Sequence, residues 1–253
     1  MSLPIVTRQP PVPPLTDAPV RLHAWSIPQR EYARQEERRG RRHAYTRLDP
    51  VRTALVVIDM VPFFDGPYAR GVIPQIQALA GALRHAGGLV AWVLPGAGGP
   101  TAAREEFYGA RVAELYRTSG GSGPLPGRLR PEFAVDEGQD LIVEKDASSA
   151  FFPGFCPLPG LLAERGIDTV LVCGVLTDVC VAGSARDAAT LGLRVVVVAD
   201  GTATRSDEVH NATLLTLYRS FTDVRPTAEV LDLIRAGHLG PSVAAAPETG
   251  VTP

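Results

Sequence analysis

Four short runs of apolar, mostly β-branched residues limit what this chain can fold into more than any other feature. They are ALVVI at 54–58, LVAWVL at 89–94, VLVC at 170–173 and VVVVA at 195–199. Each is too short for a core helix and apolar at successive positions, the pattern of a strand buried on both faces rather than one with a wet side. The segments between them carry helical periodicity. Strands are predicted at 53–58, 89–94, 140–144, 169–173, 194–199 and 221–224, and helices at 73–86, 102–117, 158–165, 178–191, 207–218 and 227–236. Alternation of this kind requires right-handed crossovers, so the expected fold is α/β: a three-layer α/β/α arrangement around a mostly parallel, six-stranded, Rossmann-like sheet.

In such a sheet ligands gather at the carboxyl ends of the strands, so the residues that follow each strand are the candidates for chemistry. Asp59 follows the first strand, Lys145 the third, and Cys180 the fourth after one tight turn. An acid, an amine and a thiol on one sheet edge suit covalent catalysis: a thiol nucleophile needs a base for its proton and a cation to hold the charges. Within VLVCGVLTDVC at 170–180, Gly174 is expected to end the strand and Thr177 to cap a helix from 178, with Cys180 at its third position. Backbone N–H groups and the helix dipole there favour thiolate over thiol. Phe63, Phe64, Phe151 and Phe152 flank the acid and the lysine, and either wall a substrate pocket or pack the core. No arginine can be assigned to a substrate carboxylate from spacing alone.

Composition excludes several classes. A net charge of -2 gives no footprint for nucleic acid, and no apolar run approaches a membrane span. The three cysteines, Cys156, Cys173 and Cys180, are odd in number and lack metal-ligand spacing, which fits a reducing cytoplasm and neither a disulfide framework nor a zinc site. Three regions are expected. Residues 1–48 form a Pro-rich and charged arm, in which 1–20 are extended or disordered and 29–43 are a solvated helix or a subunit-contact arm. Residues 49–239 form the domain, and 240–253 a frayed tail. Residues 118–131, rich in Gly and Pro, are expected as a long surface loop near the site opening.

Three blocks carry a resemblance to a known family: LVVIDM at 55–60, EKDASSAF at 144–151 and GVLTDVCV at 174–181, followed by ARDA at 185–188 and VAD at 198–200. Over residues 50–236 the chain resembles the isochorismatase-like cysteine hydrolases. That resemblance implies a catalytic triad of Asp59, Lys145 and Cys180. It also implies a cis peptide between Val175 and Leu176, and an oxyanion hole built from the N–H groups of Leu176 and Cys180. Two departures accompany it. Val61-Pro62-Phe63-Phe64 stands where the family often carries Gln-Asn or Gln-Asp, making that part of the pocket apolar, and the Asp and two His of metal-binding nicotinamidases are missing after the second strand. The implied protein uses no cofactor or metal and cleaves an amide-like C–N bond of a small amide, ureide or lactam through a thioester. Vinyl-ether hydrolysis with Asp59 as the acid, as in true isochorismatases, and a non-catalytic binding protein are the alternatives. The expected partner is a small molecule, with no nucleic acid or membrane, and a homo-oligomer contact through the arm stays open.

Overall fold

A computed structural model of the protein describes residues 19–96 and 101–239. In chain order its elements are α1 (Gln29–Arg39), β1 (Thr53–Ile58), α2 (Pro67–Gly71), α3 (Ile73–His85), β2 (Leu89–Pro95), α4 (Ala102–Tyr108), α5 (Ala110–Arg117) and β3 (Leu141–Lys145), then α6 (Leu158–Glu164), β4 (Thr169–Val175), α7 (Ala182–Thr190), β5 (Arg194–Ala203), α8 (Asp207–Ser220), β6 (Asp223–Arg225) and α9 (Thr227–His238). The six strands are all parallel and lie in the order β3-β2-β1-β4-β5-β6. Chain order reverses between β1 and β4, which opens a crevice beyond their carboxyl ends.

Burial on both sheet faces explains the uninterrupted apolar strands. Along β1, Ala54, Val56 and Ile58 enter one core with residues of α6, α7 and α8, while Leu55 and Val57 enter the other with residues of α3 and α9. Two local features set the geometry at the crevice. Gly174 does not end β4, which runs on to Val175; a Cβ at this position would lie 2.1 Å from the Ile58 carbonyl oxygen, and its φ of +106° favours glycine. On the other side, the β4–β5 register shifts between Val172 and Gly174, and β5 extends to Ala203 rather than stopping at 199.

One further expectation is corrected, and two stretches gain structural detail. The stretch predicted as one helix over 102–117 is two helices, because Gly109 (φ 75°) breaks it. Of the 29–43 stretch, expected as a solvated helix or a subunit-contact arm, residues Gln29–Arg39 form α1, whose inner face docks on α8, with buried Tyr32 edge-on to Tyr218 at 5.3 Å and Glu31 paired to Arg219 at 3.3 Å. The expected loop after α5 is a loop, and it is anchored. The Arg128 guanidinium donates to the carbonyl oxygens of Gly120 (2.6 Å) and Pro95 (2.7 Å) and to Glu144 (2.6 Å), holding the loop against the ends of β2 and β3. The expectations for residues 1–18 and 240–253 lie outside the described residues.

Candidate active site

Parallel strands in this order bring three chemically distinct side chains to one edge. Asp59 leaves β1, Lys145 is the last residue of β3, and Cys180 sits in the turn that follows β4. Asp59 is fully buried, and its backbone adopts a left-handed conformation (φ 54°), held by its N–H bond to the Val93 carbonyl at 2.8 Å. Asp is among the residues that tolerate this region, which in non-glycine residues is enriched at functional sites. The Lys145 ammonium lies 2.9 Å from Asp59 Oδ2, 3.2 Å from the Ala147 carbonyl oxygen and 3.5 Å from Cys180 Sγ. These three neighbours match its three N–H donors in number. The Asp59 contact is a buried ion pair.

Electrostatics follow from this arrangement. Burial pushes the Asp59 carboxyl up, against the pull of Lys145. Burial also works to lower Lys145, but the attraction of Asp59 and Cys180 outweighs it and holds the ammonium above its ordinary value. The thiolate expected from a helix-terminal position is not favoured. Burial and the neighbouring Asp59 carboxylate push the Cys180 thiol well up, and Lys145 only partly offsets them. The local backbone differs too. Thr177 does not cap a helix: its hydroxyl meets His210 Nδ1 at 3.0 Å, and residues Thr177–Val181 form a single π-helical turn closed by the Val181 N–H on the Leu176 carbonyl at 3.2 Å. The peptide bond between Val175 and Leu176 is cis.

The three side chains line a cavity of about 350 Å³, with Leu176, Phe64 and Tyr116 among its apolar walls. Of the other phenylalanines, Phe151 belongs to the core. The Ala150 N–H bonds Ser184 Oγ of α7 at 2.9 Å and draws the turn beneath that helix. Phe152 is half exposed and packs edge-on against Phe155, and Phe63 packs edge-on against Phe64 without lining the cavity. Spacing assigned no arginine, yet Arg104, Arg117 and Arg205 all line the cavity. Arg117 pairs with Glu114 and Arg104 donates to Ser148 Oγ at 3.3 Å, whereas Arg205 has no partner among the described residues. Arg205 escaped notice because the strand was expected to end at 199. With β5 ending at Ala203, Arg205 passes the same strand-end test as the other three. Among the described residues no group of three His, Cys, Asp or Glu is arranged to hold a metal ion. Among the described residues no helix is long and apolar enough to cross a membrane.

Comparison with known proteins agrees with this architecture. The Isochorismatase domain model matches residues 53–229. The uncharacterized isochorismatase family protein YwoC of Bacillus subtilis is 31% identical over 199 residues, 74% of this chain and 97% of its own length. Maleamate amidohydrolase of Pseudomonas putida is 28% identical over 191 residues, 73% of this chain and 87% of its own. The crystal structure of a cysteine hydrolase from Pseudomonas syringae pv. phaseolicola superposes with a TM-score of 0.68 at 25% identity, covering 77% of this chain and 98% of that one. With its sheet order, its strand-end residues and a match over most of its length, the chain belongs to the isochorismatase family and is a hydrolase.

Proposed function

We propose that this hydrolase cleaves the amide-like C–N bond of a small molecule through a thioester on Cys180. One observation carries the reading: a single ammonium, Lys145, bridges a buried carboxylate at 2.9 Å and a thiol at 3.5 Å on the floor of a cavity. A carboxylate beside the thiol, whose proton affinity burial has raised, is suited to accept its proton. In the proposed sequence Asp59 takes the thiol proton as Sγ attacks the carbonyl carbon. The oxyanion then forms against the N–H groups of Leu176 and Cys180; the Leu176 N–H has no acceptor among the described residues. Collapse of this intermediate breaks the C–N bond, and Asp59 passes its proton to the departing nitrogen. Water then attacks the thioester, giving its proton to Asp59, and collapse expels the sulfur, which recovers that proton. Lys145 stays charged throughout and stabilises the carboxylate and the transient thiolate.

The substrate we infer carries a carboxylate next to the scissile group. Arg205, a cavity-lining cation without a partner among the described residues, supports this, as does the similarity to maleamate amidohydrolase, whose named substrate joins an amide to a carboxylate. The test is a screen of small amides and ureides, with and without a carboxylate, for ammonia or amine release. Carboxylate-bearing amides should be turned over by the wild type, with a KM raised at least about tenfold in Arg205→Leu, the scale of one charge-assisted contact. Release in Cys180→Ala at the wild-type rate would refute the nucleophile, and an unchanged KM in Arg205→Leu would refute the subsite.

A further inference from the structure

Behind the cavity wall, the turns that follow β4 and β5 are tied together by groups that the chemistry above does not use. His23 lies before α1, outside the family match at 53–229, and is buried. Its ring stacks between Tyr68 of α2 at 3.7 Å and His210 of α8 at 4.1 Å. Nδ1 is 2.6 Å from Asp207 Oδ1, and Nε2 accepts the Thr204 N–H at 3.1 Å. A carboxylate can only accept, so the proton sits on Nδ1 and the lone pair on Nε2, and both ring nitrogens of the neutral imidazole are satisfied. Thr204 directly precedes Arg205, and its hydroxyl donates to Asp178 Oδ1, a cavity residue two positions before Cys180. On the other side of the stack, His210 holds Thr177, the first residue of the turn that carries Cys180.

We propose that His23 is a positioning residue for this active site, fixing through Thr204 the turn that presents Arg205 and bracing through His210 the turn that presents Cys180. The segment before α1 would then complete a site otherwise built from the family domain. The proposal rests on the roles given above to Cys180 and Arg205. Packing alone does not account for the residue, because an apolar side chain of similar size would leave the buried Thr204 N–H without an acceptor. Protonation would have the same effect, turning Nε2 into a donor. The groups facing the ring are Asp207 and His210 from α8, Tyr68 from α2, Thr204 and, on its own segment, Arg21. Burial lowers the His23 pKa from 6.5, the hydrogen bond and charge of Asp207 oppose this, and Arg21 adds to the lowering, so the acceptor persists at neutral pH.

The test needs no natural substrate. Alkylation of Cys180 in the full-length chain is followed with iodoacetate and with iodoacetamide, probes with and without a carboxylate, and mapped by peptide mass. Arg205→Leu sets the floor of the iodoacetate-to-iodoacetamide rate ratio. His23→Leu should lower that ratio about fivefold, the scale of one hydrogen bond, while His23→Gln, whose amide oxygen can accept the Thr204 N–H, should stay within about twofold of wild type. Asp207→Leu, at a partly exposed side chain, should lower the ratio in the same direction as His23→Leu, because it removes the acceptor that holds the proton on Nδ1 and the lone pair on Nε2. In the wild type the ratio should also fall on acidification below 6.5, and His23→Gln should lack that fall. A lower melting temperature with an unchanged ratio in His23→Leu and Asp207→Leu would overturn the proposal and leave His23 a packing residue. A His23→Gln ratio as low as that of His23→Leu would overturn the acceptor role. Failure of both probes to label Cys180, or an unchanged ratio in Arg205→Leu, would instead overturn the parent reading and this proposal with it.

Discussion

Removing Asp59 and removing Lys145 should move the acidity of Cys180 in opposite directions, although both changes should lower turnover. The shared ammonium lies 2.9 Å from Asp59 Oδ2 and 3.5 Å from Cys180 Sγ, so carboxylate oxygen and sulfur can be no farther apart than these distances laid end to end, 6.4 Å. At an effective dielectric of about 20, two unit charges at that maximum separation interact by roughly 2.5 kcal/mol, equivalent to about two pH units on a titration midpoint. Asp59→Asn should therefore lower the midpoint of Cys180 by at least about two pH units. Lys145→Ala removes an attraction acting over 3.5 Å, about 5 kcal/mol on the same footing, and should raise the midpoint by roughly three or more pH units. The assay is ultraviolet thiolate absorbance against pH, checked by the pH dependence of iodoacetamide labelling at Cys180. At a fixed alkaline pH the expected labelling order is Asp59→Asn, then wild type, then Lys145→Ala. Asp59→Asn should label fastest while its turnover falls by about three orders of magnitude, in the range of a lost general base. Slower labelling in Asp59→Asn than in wild type would refute the electrostatic account, since it would mean that the carboxylate does not oppose the thiolate.

Other outcomes follow from the same coordinates. Gly174→Ala should destabilise the fold by more than about 4 kcal/mol, because its Cβ would meet the Ile58 carbonyl at 2.1 Å in a backbone conformation that disfavours side chains; a melting curve checks this. Stability should decline below pH 6.5. Burial lowers His23, and burial followed by the charge of His23 lowers His210 to about 3, so the unfolded chain binds protons that the folded chain refuses. This contribution is complete above 6.5 and is lost as pH falls toward about 3, with a slope of up to roughly 1.4 kcal/mol per pH unit for each histidine. Denaturant titrations of wild type and His210→Asn between those limits should show a shallower slope in the variant, and identical slopes would count against this assignment.

Much of this was legible in the sequence because parallel strands share one carboxyl edge, so residues distant in sequence, such as Asp59, Lys145 and Cys180, could be placed on the same rim from strand ends alone. The strand order was not legible. Alternation of apolar runs does not say that β1 and β4 flank the crevice, nor that Lys145 must reach across β2. Side chains whose partners are tertiary were misplaced for the same reason. Thr177 looks like a helix cap by local pattern, but His210 claims its hydroxyl. Phe151 and Phe64 look alike in sequence, yet the bond from Ala150 to Ser184 sends one to the core while the other faces the cavity. The thiol's expected acidity failed because a dipole argument is local, whereas burial and a neighbouring carboxylate belong to the assembled site. His23 gave no signal at all, since its stacking partners lie 45 and 187 residues away.

The central claim, a covalent intermediate on Cys180, is tested most directly by intact-mass spectrometry of the enzyme quenched with acid during turnover of an amide found in the screen. The account predicts a mass increase equal to the acyl group, located on the peptide containing Cys180, discharged by hydroxylamine and missing in Cys180→Ala. Steady turnover without any adduct, together with full activity in Cys180→Ala, would contradict it.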